Sequence, residues 1–189
     1  MPDWKTHHRV RIAAAILRRG GVIACPTESV WGLSCDPFNE AAVQRILALK
    51  NRPQEKGLIL AAGDRNHFGG LLTNLDAPLR ERAISRWPGP VTWLVPHFGL
   101  VPEWVTGEHS TVAIRQTAEP LLAAISEVFG GPLVSTSANP AGKQPATRAF
   151  QVQRYFGGEL DYICPGNTGG LSKPSEILDL RSGSVVRAG

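Results

Sequence analysis

Apolar residues recur at three- and four-residue spacing in several separate segments, and these alternate with short, unbroken apolar runs. Val10, Ala13, Ala14 and Leu17 fall on one helical face, which predicts a first helix over residues 5–19, stopped by Gly20–Gly21. The run Val22–Ile23–Ala24–Cys25 ends at Pro26 and predicts a buried strand feeding the polar loop Thr27–Glu28–Ser29. Val43, Ile46, Leu47 and Lys50 predict a second helix over residues 40–50, which Pro53 prevents from continuing. Residues 58–62 predict a further buried strand.

The second half repeats the alternation. A helix is predicted over residues 79–87, closed by Pro88–Gly89–Pro90, and strands over 91–95 and 111–115. Leu121, Leu122, Ile125, Val128 and Phe129 mark an amphipathic helix that Gly130–Gly131 ends. A strand over 133–136 leads into the turn Ser137–Ala138–Asn139–Pro140. A helix over 147–156 and strands over 162–164, 175–180 and 185–186 complete the pattern. Strands alternating with helices across short loops predict an α/β fold. With no repeat, linker or shift in composition, the whole of residues 1–189 reads as a single domain.

Composition adds limits. A chain of 189 residues, 42% hydrophobic, can bury about 70% of its unfolded surface without a covalent staple. Its 20 glycines and 15 prolines predict many shaped turns on a folded core. Three cysteines without C-x-x-C spacing exclude a disulfide framework and fit a reducing compartment. No apolar run approaches the roughly 20 residues of a membrane span, and the first 19 residues carry charges where a signal peptide has its apolar core. A cytoplasmic location without membrane contact is the expectation. The net charge of +4 favours polyanionic partners but forms no basic run.

Common site motifs are missing. The stretch from Gly166 to Lys173 departs from the phosphate-binding P-loop because Leu171 stands where the second glycine belongs. His7, His8, His67, His97 and His109 lack metal-ligand spacing, and no calcium loop is present, so no resident metal is expected. Ser135 and Ser137 lack the G-x-S-x-G frame of a nucleophilic serine.

The cations Lys50, Arg52 and Lys56 carry two readings. Basic residues at a helix C-terminus gain about 0.3–1 kcal/mol from the dipole and commonly sit in water. Fixed guanidinium and ammonium groups also make an anion clamp. Polar loops follow several buried strands: Thr27–Glu28–Ser29, Arg115, and Ser135 to Asn139. Ligands of open α/β sheets bind beyond the carboxyl ends of strands, which predicts that these loops converge there around the cations.

Together, Pro26–Thr27–Glu28–Ser29, Lys50-x-Arg52, Trp87–Pro88–Gly89–Pro90–Val91–Thr92, Ala113–Ile114–Arg115, Ser135–Thr136–Ser137–Ala138–Asn139 and Pro174–Ser175–Glu176–Ile177 resemble the YrdC/TsaC family. The matches keep their order from about residue 10 to the C-terminus. The resemblance implies a YrdC-like fold, a twisted, mainly mixed sheet flanked by helices with a concave basic face. It implies a nucleotidyltransferase that converts L-threonine, bicarbonate or CO2 and ATP to threonylcarbamoyl-adenylate and diphosphate. Partner proteins would use this product to modify tRNA, and Mg2+ would enter with ATP rather than as a permanent cofactor.

By the same resemblance, Lys50, Arg52, Ser137 and Asn139 are the catalytic positions. Arg52, Lys56, Thr111, Ser137, Thr147 and Arg187 are nucleotide positions, and Thr27, Ser29, Arg115, Ser135 and Ser175 line the threonine. Longer family members carry a histidine in the register of Ala61 and Asn-Pro in that of Lys56–Gly57. These departures, and the end at Gly189, point to the short type. The rival expectation is a non-catalytic module that binds tRNA or double-stranded RNA, although no RNA-binding signature is present.

Overall fold

The computed structural model describes residues 4–171 and 173–188. Residues 1–3, Gly189 and Ser172, which belongs to the glycine-rich stretch compared with a P-loop, lie outside them. In chain order the elements are α1 (His8–Arg18), β1 (Ile23–Pro26), β2 (Trp31–Ser34) and α2 (Glu40–Lys50), followed by a 3-10 turn at Gln54–Lys56. Then come β3 (Ile59–Ala62), a second 3-10 turn at Arg65–Phe68, α3 (Gly70–Thr73), α4 (Ala77–Ser85), β4 (Val91–Pro96) and α5 (Glu103–Thr106). The rest comprises β5 (Thr111–Gln116), α6 (Pro120–Phe129), β6 (Leu133–Ser137), α7 (Ala149–Phe156), a 3-10 turn at Gly157–Glu159, β7 (Tyr162–Ile163), β8 (Glu176–Asp179) and β9 (Val185–Arg187).

Among the described residues the strands form one nine-stranded sheet in the order β7-β1-β2-β6-β3-β5-β4-β8-β9. It is mixed: β3 runs parallel to β5 and β4 to β8, while β1–β2, β3–β6 and β4–β5 are antiparallel pairs. The α/β class is the one that the pattern predicted, and the mixed sheet flanked by helices is what the resemblance implied.

Period-two alternation divides the core between the two faces of this sheet. Val22, Ala24, Leu60, Ala62 and Val134 join a large cluster with Val43, Ile46 and Leu47 of α2 and Val152 and Phe156 of α7. Ile23, Cys25, Ala61 and Leu133 point the other way, into a smaller cluster with Val10, Ala13 and Leu17 of α1 and Leu121, Leu122 and Ile125 of α6. The helices α1 and α6 cover only part of that second face. Beyond them, Ile59, Ala113 and Ser135 lie in register on neighbouring strands, and they line an open cleft.

Local chemistry sets the boundaries. His7 starts α1 three residues later than the periodicity suggests, because its backbone is extended and its ring nitrogen accepts from Arg9 N. Asp76 caps α4 by accepting from Leu79 N, so that helix starts before residue 79 and ends at Ser85. The strand β2 was not anticipated. Trp31, Gly32, Leu33 and Ser34 do alternate, but over only four positions, one of them a glycine, which is too short a pattern to mark a strand.

Candidate active site

The 50–58 segment is shaped by how α2 ends. Asn51 adopts a left-handed conformation (φ 47°), Asn51 N donates to Ala48 O at 3.0 Å and Arg52 N donates to Leu47 O at 2.9 Å. This double closure turns the chain away from the helix axis. Gly57, at φ 59°, lies so close to α5 that a Cβ there would stand 2.8 Å from Thr106 O. Leu58 N donates to Val105 O at 2.8 Å. The Arg52 guanidinium then folds back and donates through Nη2 to Gly57 O at 2.9 Å.

The cleft encloses about 440 Å³, within the usual range of about 300–1,000 Å³ for small-molecule sites. Arg52, Lys56, Thr111 and Ser137 line it, as do Thr27, Ser29, Arg115, Ser135, Ser175 and Arg187. No Asp or Glu does among the described residues. The predicted loops do come together, but on the face of the sheet and not beyond a common row of strand ends. In a mixed sheet the carboxyl ends of the strands do not share one edge, so the expected location is corrected.

Three guanidinium groups converge here. Burial holds Arg52 below the ordinary arginine value, and burial followed by the charges of Arg115 and Arg52 does the same to Arg187. Arg187 donates to Ser175 O at 2.7 Å, and the Ser175 hydroxyl meets that of Thr92 at 3.0 Å. Arg115 is 6% exposed and donates through Nη1 to Glu28 Oε2 at 2.9 Å. The buried Nε atoms of both Arg52 and Arg115 have no hydrogen-bond partner. A buried guanidinium edge without a partner is costly, and a carboxylate or phosphate oxygen is the group that suits it.

Three expected positions lie elsewhere. Lys50 is 5% exposed and absent from the lining, and its ammonium donates to the backbone carbonyls of Ser137 and of Asn139. Burial, aided by the Arg52 charge, lowers its pKa from 10.5 to about 8. The Asn139 side chain also turns from the cleft and donates to Pro140 O and Lys143 O. Thr147 is exposed, and its hydroxyl donates to Gln151 Oε1 at 3.1 Å, where Gln151 also accepts from Arg148 N at the start of α7. The structure thus keeps Lys50, Asn139 and Thr147 off the cleft lining: the first two shape the turn that carries Ser137, and the third belongs to a helix start.

His109, Thr106, Pro145 and Pro174 line the cleft without having been singled out as site residues. Only Pro174 had a signal, its place in the Pro-Ser-Glu-Ile run. The glycine-rich stretch is a strap and not a phosphate loop. Gly169 N donates to Thr27 O and Leu171 N to Glu28 O, both at 2.9 Å. The three cysteines are buried and free, and burial lifts Cys25 to about 12, so none is a nucleophile. Among the described residues no cluster of metal-ligating side chains occurs, and no helix is long and apolar enough to cross a membrane.

Comparison with known proteins gives the same picture. The Sua5/YciO/YrdC family model, described as "Telomere recombination", matches residues 15–189. A Cellvibrio japonicus protein named threonylcarbamoyl-AMP synthase is 53% identical over 187 residues, covering 99% of each chain. A Hahella chejuensis protein of the same name is 50% identical over 178 residues, covering 94% of this chain and 97% of its own. The crystal structure of P. abyssi Sua5 complexed with L-threonine superposes with a TM-score of 0.84 at 33% identity, over 90% of this chain. This chain spans 50% of that Sua5 chain, against nearly the full length of the two synthases. With a buried arginine cleft on a mixed sheet, and relatives of this similarity along its whole length, the chain belongs to the Sua5/YciO/YrdC family.

Proposed function

We propose that the cleft condenses L-threonine, bicarbonate or CO2 and ATP to threonylcarbamoyl-adenylate and diphosphate. The chain is a nucleotidyltransferase of tRNA modification. The observation that carries this reading is the convergence of Arg52, Arg115 and Arg187 on one cleft whose lining holds hydroxyls but no carboxylate. Such a site suits two anionic groups, a triphosphate and an amino-acid carboxylate.

Attack of the neutral threonine amine on CO2 forms an N–C bond and releases one proton to give a carbamate; starting from bicarbonate, a C–O bond breaks and one water leaves. A carbamate oxygen then attacks the α-phosphorus of ATP, forming the mixed anhydride as the bond to diphosphate breaks. This needs alignment and charge neutralisation more than a proton relay. Arg52, Arg187 and Lys56 neutralise the phosphates, and the Ser137 hydroxyl orients them. Arg115, with the hydroxyls of Ser29, Ser135 and Ser175, takes the threonine.

Mg2+ would enter with ATP, and since no carboxylate lines the cleft among the described residues, phosphate oxygens and hydroxyls such as that of Thr111 would hold it and help neutralise the phosphate charge. The adenylate passes to partner proteins that act on tRNA in the cytoplasm, and the net charge of +4 favours direct contact with the RNA. Diphosphate release by the purified protein tests the reading. It should require ATP, threonine and bicarbonate together, and release without threonine would overturn it.

A further inference from the structure

We infer that Glu28 is a specificity-determining residue: standing behind Arg115, it makes that end of the cleft select a zwitterionic amino acid over phosphate-type anions. The inference rests on the reading of Arg115 as the amino-acid end.

Glu28 does not line the cleft, and it is 7% exposed. Its carboxylate is nonetheless fully engaged. Oε2 accepts from Arg115 Nη1 at 2.9 Å, while Oε1 accepts from Thr117 Oγ1 at 2.7 Å and from Ala118 N at 3.3 Å. Thr117 Oγ1 in turn accepts from Glu119 N at 3.2 Å. The residue therefore touches Arg115 from the protein side and leaves the Nε edge of the guanidinium without a partner. Its own backbone is fixed as well, since Glu28 O accepts from Leu171 N of the strap.

The consequence is a division of charge. Without Glu28, Arg115 would add a further full cation to those of Arg52, Lys56 and Arg187, and both ends of the cleft would attract phosphates alike. With Glu28, the Arg115 end is an ion pair of zero net charge that still offers directed N–H groups. That combination fits a ligand carrying one carboxylate and one ammonium. It leaves the Arg52 and Arg187 end as the place for polyanions. Buried charge partners of this kind set selectivity by penalising the wrong ligand as much as by attracting the right one.

The Glu28→Gln variant keeps the shape and unmasks the Arg115 charge. Calorimetric titration with inorganic phosphate should give one bound phosphate more than wild type, and the extra site should vanish in a Glu28→Gln/Arg115→Met double variant. In the diphosphate-release assay, phosphate should become competitive against threonine, with its inhibition constant falling by roughly 10-fold or more. Glu28→Asp, which retains the charge, should show the wild-type pattern. Unchanged phosphate stoichiometry in Glu28→Gln, or an added site that survives loss of Arg115, overturns the inference. So does a Glu28→Asp variant that behaves like Glu28→Gln, since that would make the side chain's length and not its charge decisive. Wild-type protein lacking threonine-dependent release would defeat the proposed reaction, while the phosphate count would still decide the role of Glu28.

Discussion

The Lys50 ammonium lies 2.8 Å from the backbone carbonyl oxygen of Asn139 and also donates to that of Ser137. One cation at the end of α2 thus braces both ends of the turn that presents the Ser137 hydroxyl to the cleft. The opposite strand of this contact is closed by Ala141 N, which donates to Lys50 O at 2.8 Å. On the proposed reading, Lys50 therefore acts through Ser137 as a positioning residue.

Lys50→Met keeps the aliphatic stem and removes the donor. Ser137 O still accepts from Asn139 N at 3.0 Å, so only Asn139 O is left without a partner, and a stability loss of about 1–3 kcal/mol is expected in urea denaturation. Diphosphate release should fall with it as Ser137 drifts. Full stability combined with a large loss of turnover would instead place the ammonium on the substrate.

The same burial gives a pH signature. The folded pKa of Lys50 is about 8 against an ordinary 10.5, so between those values the unfolded chain binds more protons than the folded one. Stability contributed by this group is therefore fully present above about pH 10.5 and is lost as pH falls through about 8. The stability of wild type relative to Lys50→Met should rise over that interval. A flat or falling difference would show that the two carbonyl hydrogen bonds outweigh burial.

Arg52→Lys tests the fork geometry. The guanidinium lines the cleft while Nη2 holds Gly57 O, a planar fork that a single ammonium cannot reproduce. Turnover should fall by roughly 10²–10³, the scale for losing one transition-state donor, with little change in melting temperature. Turnover within a factor of about two of wild type would remove Arg52 from the phosphate end.

Much of this was legible in the chain, for physical reasons. Helices such as α2 announce themselves because one face is buried and the other is not, and the polar runs around Thr27, Arg115 and Ser135 stand out because each interrupts buried strands. What spacing cannot carry is the direction in which a side chain points. Lys50 and Arg52 are two residues apart, yet the left-handed turn at Asn51 sends one under the 137–139 turn and the other into the cleft. Likewise Glu28 reads as one more polar loop residue until β5 brings Arg115 against it. The strand β2 escaped because its alternation runs only from Trp31 to Ser34 and includes a glycine.

Thr147→Val separates resemblance from geometry. The hydroxyl contacts Gln151 at an exposed helix start, and the backbone Thr147 N also donates to Gln151 Oε1, at 2.8 Å. The cost should be at most about 1 kcal/mol, as for a weakened cap. The KM for ATP should stay within a factor of about two, because an exposed side chain away from the cleft changes little. A tenfold rise in that KM would show that the α7 entry closes onto the nucleotide.

Gly57→Ala tests whether the phosphate end depends on the close approach of two backbones. Gly57 has φ 59°, and an added Cβ would lie 2.8 Å from Thr106 O and 3.4 Å from Val105 O, neither of which is a flexible side-chain end. Gly99 provides the control: its φ is 72°, but a Cβ there meets nothing within 4 Å. Gly99→Ala should therefore pay only the strain of a left-handed alanine, about 1 kcal/mol, and leave the KM for ATP alone. Gly57→Ala adds a backbone collision that can be relieved only by moving the 54–57 turn away from α5. Because Gly57 O anchors Arg52, that movement carries the guanidinium with it. The expected result is a stability loss about twice that of Gly99→Ala or more, together with a raised KM for ATP and an unaltered KM for threonine. If the two variants lose the same stability and bind ATP equally well, the turn has room to spare and the anchoring of Arg52 lies elsewhere.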